Sequence, residues 1–333
     1  MKTRLGIAIA LLLTTTSAIA AGYKIAPLVS DQAGVAPVQD ADLVNPWGLA
    51  QVGDTQPVWT SDNGTSKSTF YDRSTGVKQS PVVAVPTLPT GIVYTPSSFA
   101  FNVTEGANTG PCAFAFATIS GVVSCWAPSV DNLNAITGYD GSAQHSVYTG
   151  LAIDGTNKHL LTADIANNQV QILDKTWNVI GSFTDPELPK KYAPFNVQVL
   201  KGKVYVAFTR VRKNRFKHKK GEGYVDVFDL SGNLQTRLIA NGNLDHPWGL
   251  AIAPASFGQF AGDLLVGNFG DGKINVYDPT TGSFLGTMQD ANGKALKIDG
   301  LWALDSGPGA SSVQFSSGPD KETHGLIGTI TPN

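Results

Sequence analysis

His246-Pro247-Trp248-Gly249-Leu250-Ala251-Ile252 repeats, almost letter for letter, the Asn45-Pro46-Trp47-Gly48-Leu49-Ala50 that stands about two hundred residues earlier. Four further stretches share its outline of a small residue followed by alternating apolar positions. They are Thr90-Gly91-Ile92-Val93-Tyr94, Thr149-Gly150-Leu151-Ala152-Ile153, Phe195-Asn196-Val197-Gln198-Val199 and Asp299-Gly300-Leu301-Trp302-Ala303-Leu304. Taking the Gly, or the Asn that replaces it, as the register point gives intervals of 43, 59, 46, 53 and 51 residues. That spacing is the period of a four-stranded propeller blade. Each copy is followed by a second β-rich run, a polar turn and a third run, as in Asp263-Leu264-Leu265-Val266, Asn268-Phe269-Gly270-Asp271-Gly272 and Lys273-Ile274-Asn275-Val276-Tyr277. Alternating apolar residues broken by Asn-Gly or Asp-Gly form the strongest short-range hairpin signal. The expectation is an all-β, six-bladed β-propeller with four-stranded antiparallel blades.

The chain has 333 residues, 42 % of them hydrophobic and 15 % charged, with 36 Gly and 19 Pro. No linker of biased composition divides the repeats, so residues 22–333 read as one closed domain. A formal net charge of -2 argues against a general polyanion binder, and no nucleic-acid partner is expected. Residues 1–21 place Lys2 and Arg4 before an apolar run from Leu5 to Leu13 and then Ala18-Ile19-Ala20, the three regions of a secretory signal peptide. That run is shorter than the roughly 20 residues of a membrane span, and no later segment qualifies. An exported monomer, periplasmic or extracellular, is expected.

From Gly300 only about 33 residues remain, enough for three strands, and an unclosed ring leaves a sheet edge open. The apolar-alternating Tyr23–Ser30 segment therefore reads as the outermost strand of the sixth blade; a disordered arm is the alternative. Cys112 and Cys125 flank the Ser120-Gly121 turn and fall within about two residues of facing register, so export permits a disulfide between them. Two buried free thiols are the alternative. In the fourth unit, seven Lys or Arg fall within eleven residues from Arg210 through Arg212 and Arg215 to Lys220. This run reads either as a solvated insertion or as a clamp for an anionic partner, a phosphate, carboxylate or acidic polymer.

Leu28-Val29-Ser30-Asp31, Asp42-Leu43-Val44-Asn45-Pro46-Trp47-Gly48-Leu49, His246-Pro247-Trp248-Gly249-Leu250-Ala251 and His324-Gly325-Leu326-Ile327-Gly328 together resemble an uncharacterised family of exported bacterial proteins with NHL-like propeller repeats. The resemblance spans nearly the whole chain after the leader. It implies six blades and no established activity. Relatives tend to carry an acidic, Gly-rich insertion where this chain has its basic run, so a shared ligand does not follow.

In a propeller the first strand of each blade lines the channel, so residues just before the register points should meet at one mouth. Asn45, Trp47, Thr90, Thr149, Phe195, Asn196, His246, Trp248 and Asp299 are those residues. Loops between second and third strands should add Asp62, Asn63, Asp164, Asn167, Asn268 and Asp271. Asp164, Asn196, Asn268 and Asp299 are the candidate oxygen ligands for a divalent cation, Ca²⁺ being the one such donors suit. His246 and Asp299 are the candidate catalytic groups, against the plainer readings of a loop-fixing ring and a paired carboxylate. Asn or Asp before Gly is also an ordinary turn former. There is no Gly-x-Ser-x-Gly elbow, His-Glu-x-x-His, phosphate loop or dinucleotide fingerprint. The leading expectation is a platform that binds a ligand or protein at the channel mouth. The alternatives are a metal-assisted hydrolase of the gluconolactonase type and a quinone-dependent oxidoreductase, whose long cofactor loops are missing.

Overall fold

The structure, a computed structural model, describes residues 22–53, 56–156, 158–213, 218–306 and 311–333. The expected leader at 1–21 and Arg215 lie outside these residues. Among them, six antiparallel sheets follow one another along the chain, with a small extra hairpin, Asn102–Glu105 with Asn108–Pro111, between the first two strands of the second. The innermost strands are Pro46–Gln51, Pro89–Tyr94, Tyr148–Asp154, Tyr192–Leu200, Pro247–Ile252 and Leu301–Asp305. Each neighbours the next and the last neighbours the first, so the sheets form a six-bladed ring. Apolar clusters fill the wedges between blades; Phe208, Phe228, Val197 and Leu161, for example, pack between blades three and four. Burial of this kind supplies most of the driving force.

Blade six is Leu301–Asp305, Val313–Ser317 and Leu326–Pro332 with Tyr23–Ser30 outermost, paired from Tyr23↔Pro332 to Ser30↔Leu326. The N-terminal segment is thus the ring's closing strand, as its alternation predicts. Tyr23 is locked inward: its hydroxyl donates to the Phe257 carbonyl at 3.0 Å and its ring stacks on Phe260. Cys112 and Cys125 are joined in blade two, with Cα atoms 5.5 Å apart. Such a bond adds about 2 to 3 kcal/mol over the reduced chain.

The inner strands approach so closely that the repeated glycine is a packing requirement. A Cβ on Gly48 would lie 2.7 Å from the Thr90 carbonyl oxygen, and one on Gly249 would lie 2.7 Å from that of Trp302. The second of these contacts corrects the register of blade six. The residue facing Gly249 is Ala303, so Trp302-Ala303-Leu304 is the counterpart of Trp47-Gly48-Leu49, and Gly300 stands three residues too early. Gly300 has φ +61°, in the left-handed region like the residue three before the close approach in blades one, two and five: Asn45 at 49°, Leu88 at 49° and His246 at 51°. Its glycine answers a left-handed turn into the strand, which side chains tolerate poorly.

Candidate functional site at the channel mouth

Each inner strand slips register against its neighbour just before the close-approach residue. The slip falls between Pro46 and Leu49, Tyr148 and Gly150, Pro194 and Asn196, Pro247 and Gly249, and Leu301 and Leu304; in blade two the neighbour slips opposite Thr90. A bulge re-aims the side chain it carries, and here it collects Trp47, Phe195, Trp248 and Trp302 into one aromatic cluster with Phe269. Trp47 stacks on Trp302 with centroids 3.6 Å apart, Phe269 stacks on Trp302 at 4.2 Å, and Trp248 meets Trp302 edge-on at 5.7 Å. The Trp248 indole N–H donates to the Thr149 carbonyl of blade three at 2.9 Å. The channel is therefore plugged by rings rather than lined by oxygens.

Above this plug lies a cup of about 90 Å³, walled by residues of five blades. Its floor is Trp47, Phe195, Phe269 and Trp302, with Ile165 beside them, and its polar wall is Thr209, Arg210, Arg212 and His246. Glu222, nearly buried at the far end of the basic loop, holds both arginines: Arg210 Nη1 donates to Oε1 at 2.6 Å and Arg212 Nη2 donates to Oε2. Burial pushes the Glu222 carboxyl up, but the hydrogen bonds from Arg212 and Arg210 outweigh it and hold it below the usual carboxylate range. The basic run is thus pinned at its described ends, and two of its guanidiniums are brought to the axis.

Asp245 organises the next stretch of wall. Its buried carboxylate meets His218 Nδ1 at 2.9 Å through Oδ2 and His246 Nδ1 at 3.4 Å through Oδ1. Burial pushes this carboxyl up, yet the hydrogen bonds to His246 and His218 hold it low. An ionised carboxylate only accepts, so each ring presents Nδ1–H to it. His246 is 4 % exposed and lines the cup, with its backbone in the left-handed region.

The other sequence candidates serve the frame. Asn45 Oδ1 accepts from the Trp302 indole at 3.0 Å, and its Nδ2 donates to Asn63 Oδ1 at 3.3 Å. Asp164 closes its own turn, accepting from the Val147 and Asn167 backbones and from Asn167 Nδ2. Asn268 accepts from the Asp245 backbone and donates to the Asn243 carbonyl and to Asp271. Asn196 donates across the blade interface to the Trp248 carbonyl at 2.8 Å. Asp299 does not point into the funnel: it is exposed, it accepts from the Asp320 backbone at 2.9 Å, and Trp302 takes the position expected for it. The structure therefore does not gather Asp164, Asn196, Asn268 and Asp299 at one point. Among the described residues, no group of three or more His, Cys, Asp or Glu is arranged to hold a metal ion.

Sequence reasoning missed Thr209, Glu222, Asp245 and His218. Trp302 carried the only clear signal, because Trp-Ala-Leu echoes Trp-Gly-Leu. On the opposite face the inner strands open into a wider hollow of about 780 Å³, where Gln51 Nε2 donates to Asp305 at 2.8 Å.

Compared with known proteins, the chain is 30 % identical over 328 residues to "Uncharacterized protein L690" of Acanthamoeba polyphaga mimivirus, covering 93 % of this chain and 86 % of that one. It belongs to the family of that mimivirus protein. "Uncharacterized protein R648" of the same virus is 31 % identical over 327 residues, covering 92 % of this chain and 80 % of its own length. No family model matches the chain. Similar solved structures include Kuenenia stuttgartiensis hydrazine synthase, with TM-score 0.56 and 15 % identity over 86 % of this chain and 77 % of that one. A catalytically inactive virginiamycin B lyase from Staphylococcus aureus, solved with quinupristin, gives TM-score 0.56 and 12 % identity over 93 % of this chain and 99 % of that one. At these identities the likeness is one of fold, and the functions of these neighbours are unrelated to each other.

Proposed function

We propose that the protein is a ligand-binding propeller whose site is the cup above the aromatic plug. The observation that carries this reading is the cup itself: aromatic residues drawn from four blades form a floor at the axis, and two guanidiniums and a buried histidine are held over it by dedicated carboxylates. A mostly apolar concavity with a few placed polar groups is the ordinary form of a small-molecule site. With about 90 Å³, the cup has room for roughly six to nine water-sized groups. The bound group is small, or it is the tip of something larger. The paired cysteines and the leader-like residues 1–21 support action outside the cytosol, and the repeated Pro-Trp-Gly-Leu phrase supports kinship with the exported NHL-like bacterial proteins. A metal-dependent hydrolase draws no support from the placement of Asp164, Asn196, Asn268 and Asp299.

The test is a fragment screen by ligand-observed NMR on the protein and on Val211→Trp. Val211 is half exposed and lines the cup, so the larger side chain should fill the cup without disturbing the blades. Fragments that bind the wild-type protein are expected to lose their signal in the variant, with the melting temperature unchanged. Fragment binding that is indifferent to the substitution would move the site elsewhere.

A further inference from the structure

The donors around the cup are not all used. Trp47 Nε1, Thr209 Oγ1 and Arg212 Nε are buried and have no hydrogen-bond partner among the described residues, and all three belong to walls of the same cup. Trp47 and Thr209 are each 2 % exposed. An indole N–H and a guanidinium Nε–H can only donate, and a threonine hydroxyl can do so. Buried polar groups left unpaired cost free energy, so three donors around one small space call for an acceptor.

The charges agree. Arg210 and Arg212 share the single carboxylate of Glu222, which leaves one positive charge of that trio uncompensated. The other acid nearby, Asp245, is engaged by His218 and His246. The remaining wall is made of flat rings, Phe195, Phe269 and Trp302, with Ile165. Resting on the reading of the cup as the binding site, we infer that its ligand is a small aromatic carboxylate, the ring lying against the tryptophan and phenylalanine floor and the carboxylate taking the free donors. A planar guanidinium suits a planar carboxylate better than it suits a neutral amide.

The experiment is calorimetric titration with benzoate, its neutral isostere benzamide and phenylphosphonate, on wild type, Arg212→Lys and Thr209→Val, each checked for an unchanged melting curve. Wild type should bind benzoate about tenfold more tightly than benzamide, as a charge-assisted hydrogen bond implies. Arg212→Lys keeps the charge and loses the Nε donor, and should give up most of that preference. Thr209→Val should weaken benzoate several-fold and benzamide, whose carbonyl also accepts from the hydroxyl, by less; it keeps the test open if the arginine variant fails to fold. Equal affinity for benzoate and benzamide overturns the inference and leaves the cup as a site for neutral ligands. Tighter binding of phenylphosphonate than of benzoate also overturns it, in favour of a tetrahedral oxyanion. If all three probes fail while screened fragments still occupy the cup, the acid is the wrong class; if nothing occupies the cup, the reading beneath the inference fails as well.

Discussion

Asn45 shows how one side chain can hold the mouth without touching a ligand. Its carboxamide bridges the Trp302 indole of blade six and Asn63 of blade one, and its backbone is left-handed at φ 49°. Asn45→Ala strands a buried indole N–H and forces a Cβ-bearing residue without local hydrogen bonds into that region. The expected loss is about 2 to 3 kcal/mol in urea unfolding at neutral pH. Asn45→Gly should recover only the backbone part, about 1 kcal/mol. Equal stability of both variants and wild type would show that the bridge carries no weight. At this scale the sequence misled where one residue type serves two needs. Glycine marks the close approach in Gly48 and Gly249 but the left-handed turn in Gly300, so a register counted on glycine alone gives Asp299 the place that belongs to Trp302. His246, Arg210 and Arg212 were legible because a histidine before Pro-Trp-Gly and a basic run each break the pattern around them. Glu222 and Asp245 were not, since a single acid looks like any surface acid until the fold shows which cations surround it.

Within the elements, the strands and their hairpins were readable because alternation and turn residues are local. What a strand buries on its polar side is set by its neighbours and was not readable. The third strand of blade four, Tyr224–Phe228, carries Asp226 wholly inside the protein, with Arg237 Nε at 3.8 Å. Burial, then the neighbouring Asp185, raises this carboxyl to about 8, against the pull of Arg237. Its unfolded value is near 3.9, so between about pH 4 and pH 8 the folded state binds the extra proton. Stability from this group is full below the unfolded value and falls as pH rises through that window. Asp62, raised to about 7 chiefly by burial, acts in the same direction. Asp226→Asn should therefore melt several degrees above wild type at pH 8.5 and close to it at pH 4.5. Parallel melting profiles across that range would mean that Asp226 ionises freely in the folded protein.

For the whole molecule, the number of blades and the closing strand were legible because a period of about fifty residues and a missing fourth strand are properties of the full chain. Removing residues 23–30 takes away a complete ladder against Leu326–Pro332 and the Tyr23 anchor. The truncated protein should lose at least several degrees of melting temperature or fail to accumulate in soluble form; an unaltered melting curve would contradict the clasp. The same ladder has a temporal side. Gly22 and Asn333 are joined by a backbone hydrogen bond of 2.9 Å, so the ring is sealed by partners about three hundred residues apart along the chain, whereas the other blades pair strands close in sequence. Contacts of such long range form late, after the entropy of closing the loop between them has been met. During synthesis Tyr23–Ser30 must wait for Leu326–Pro332, and until they meet the ring is an open arc with a bare strand edge.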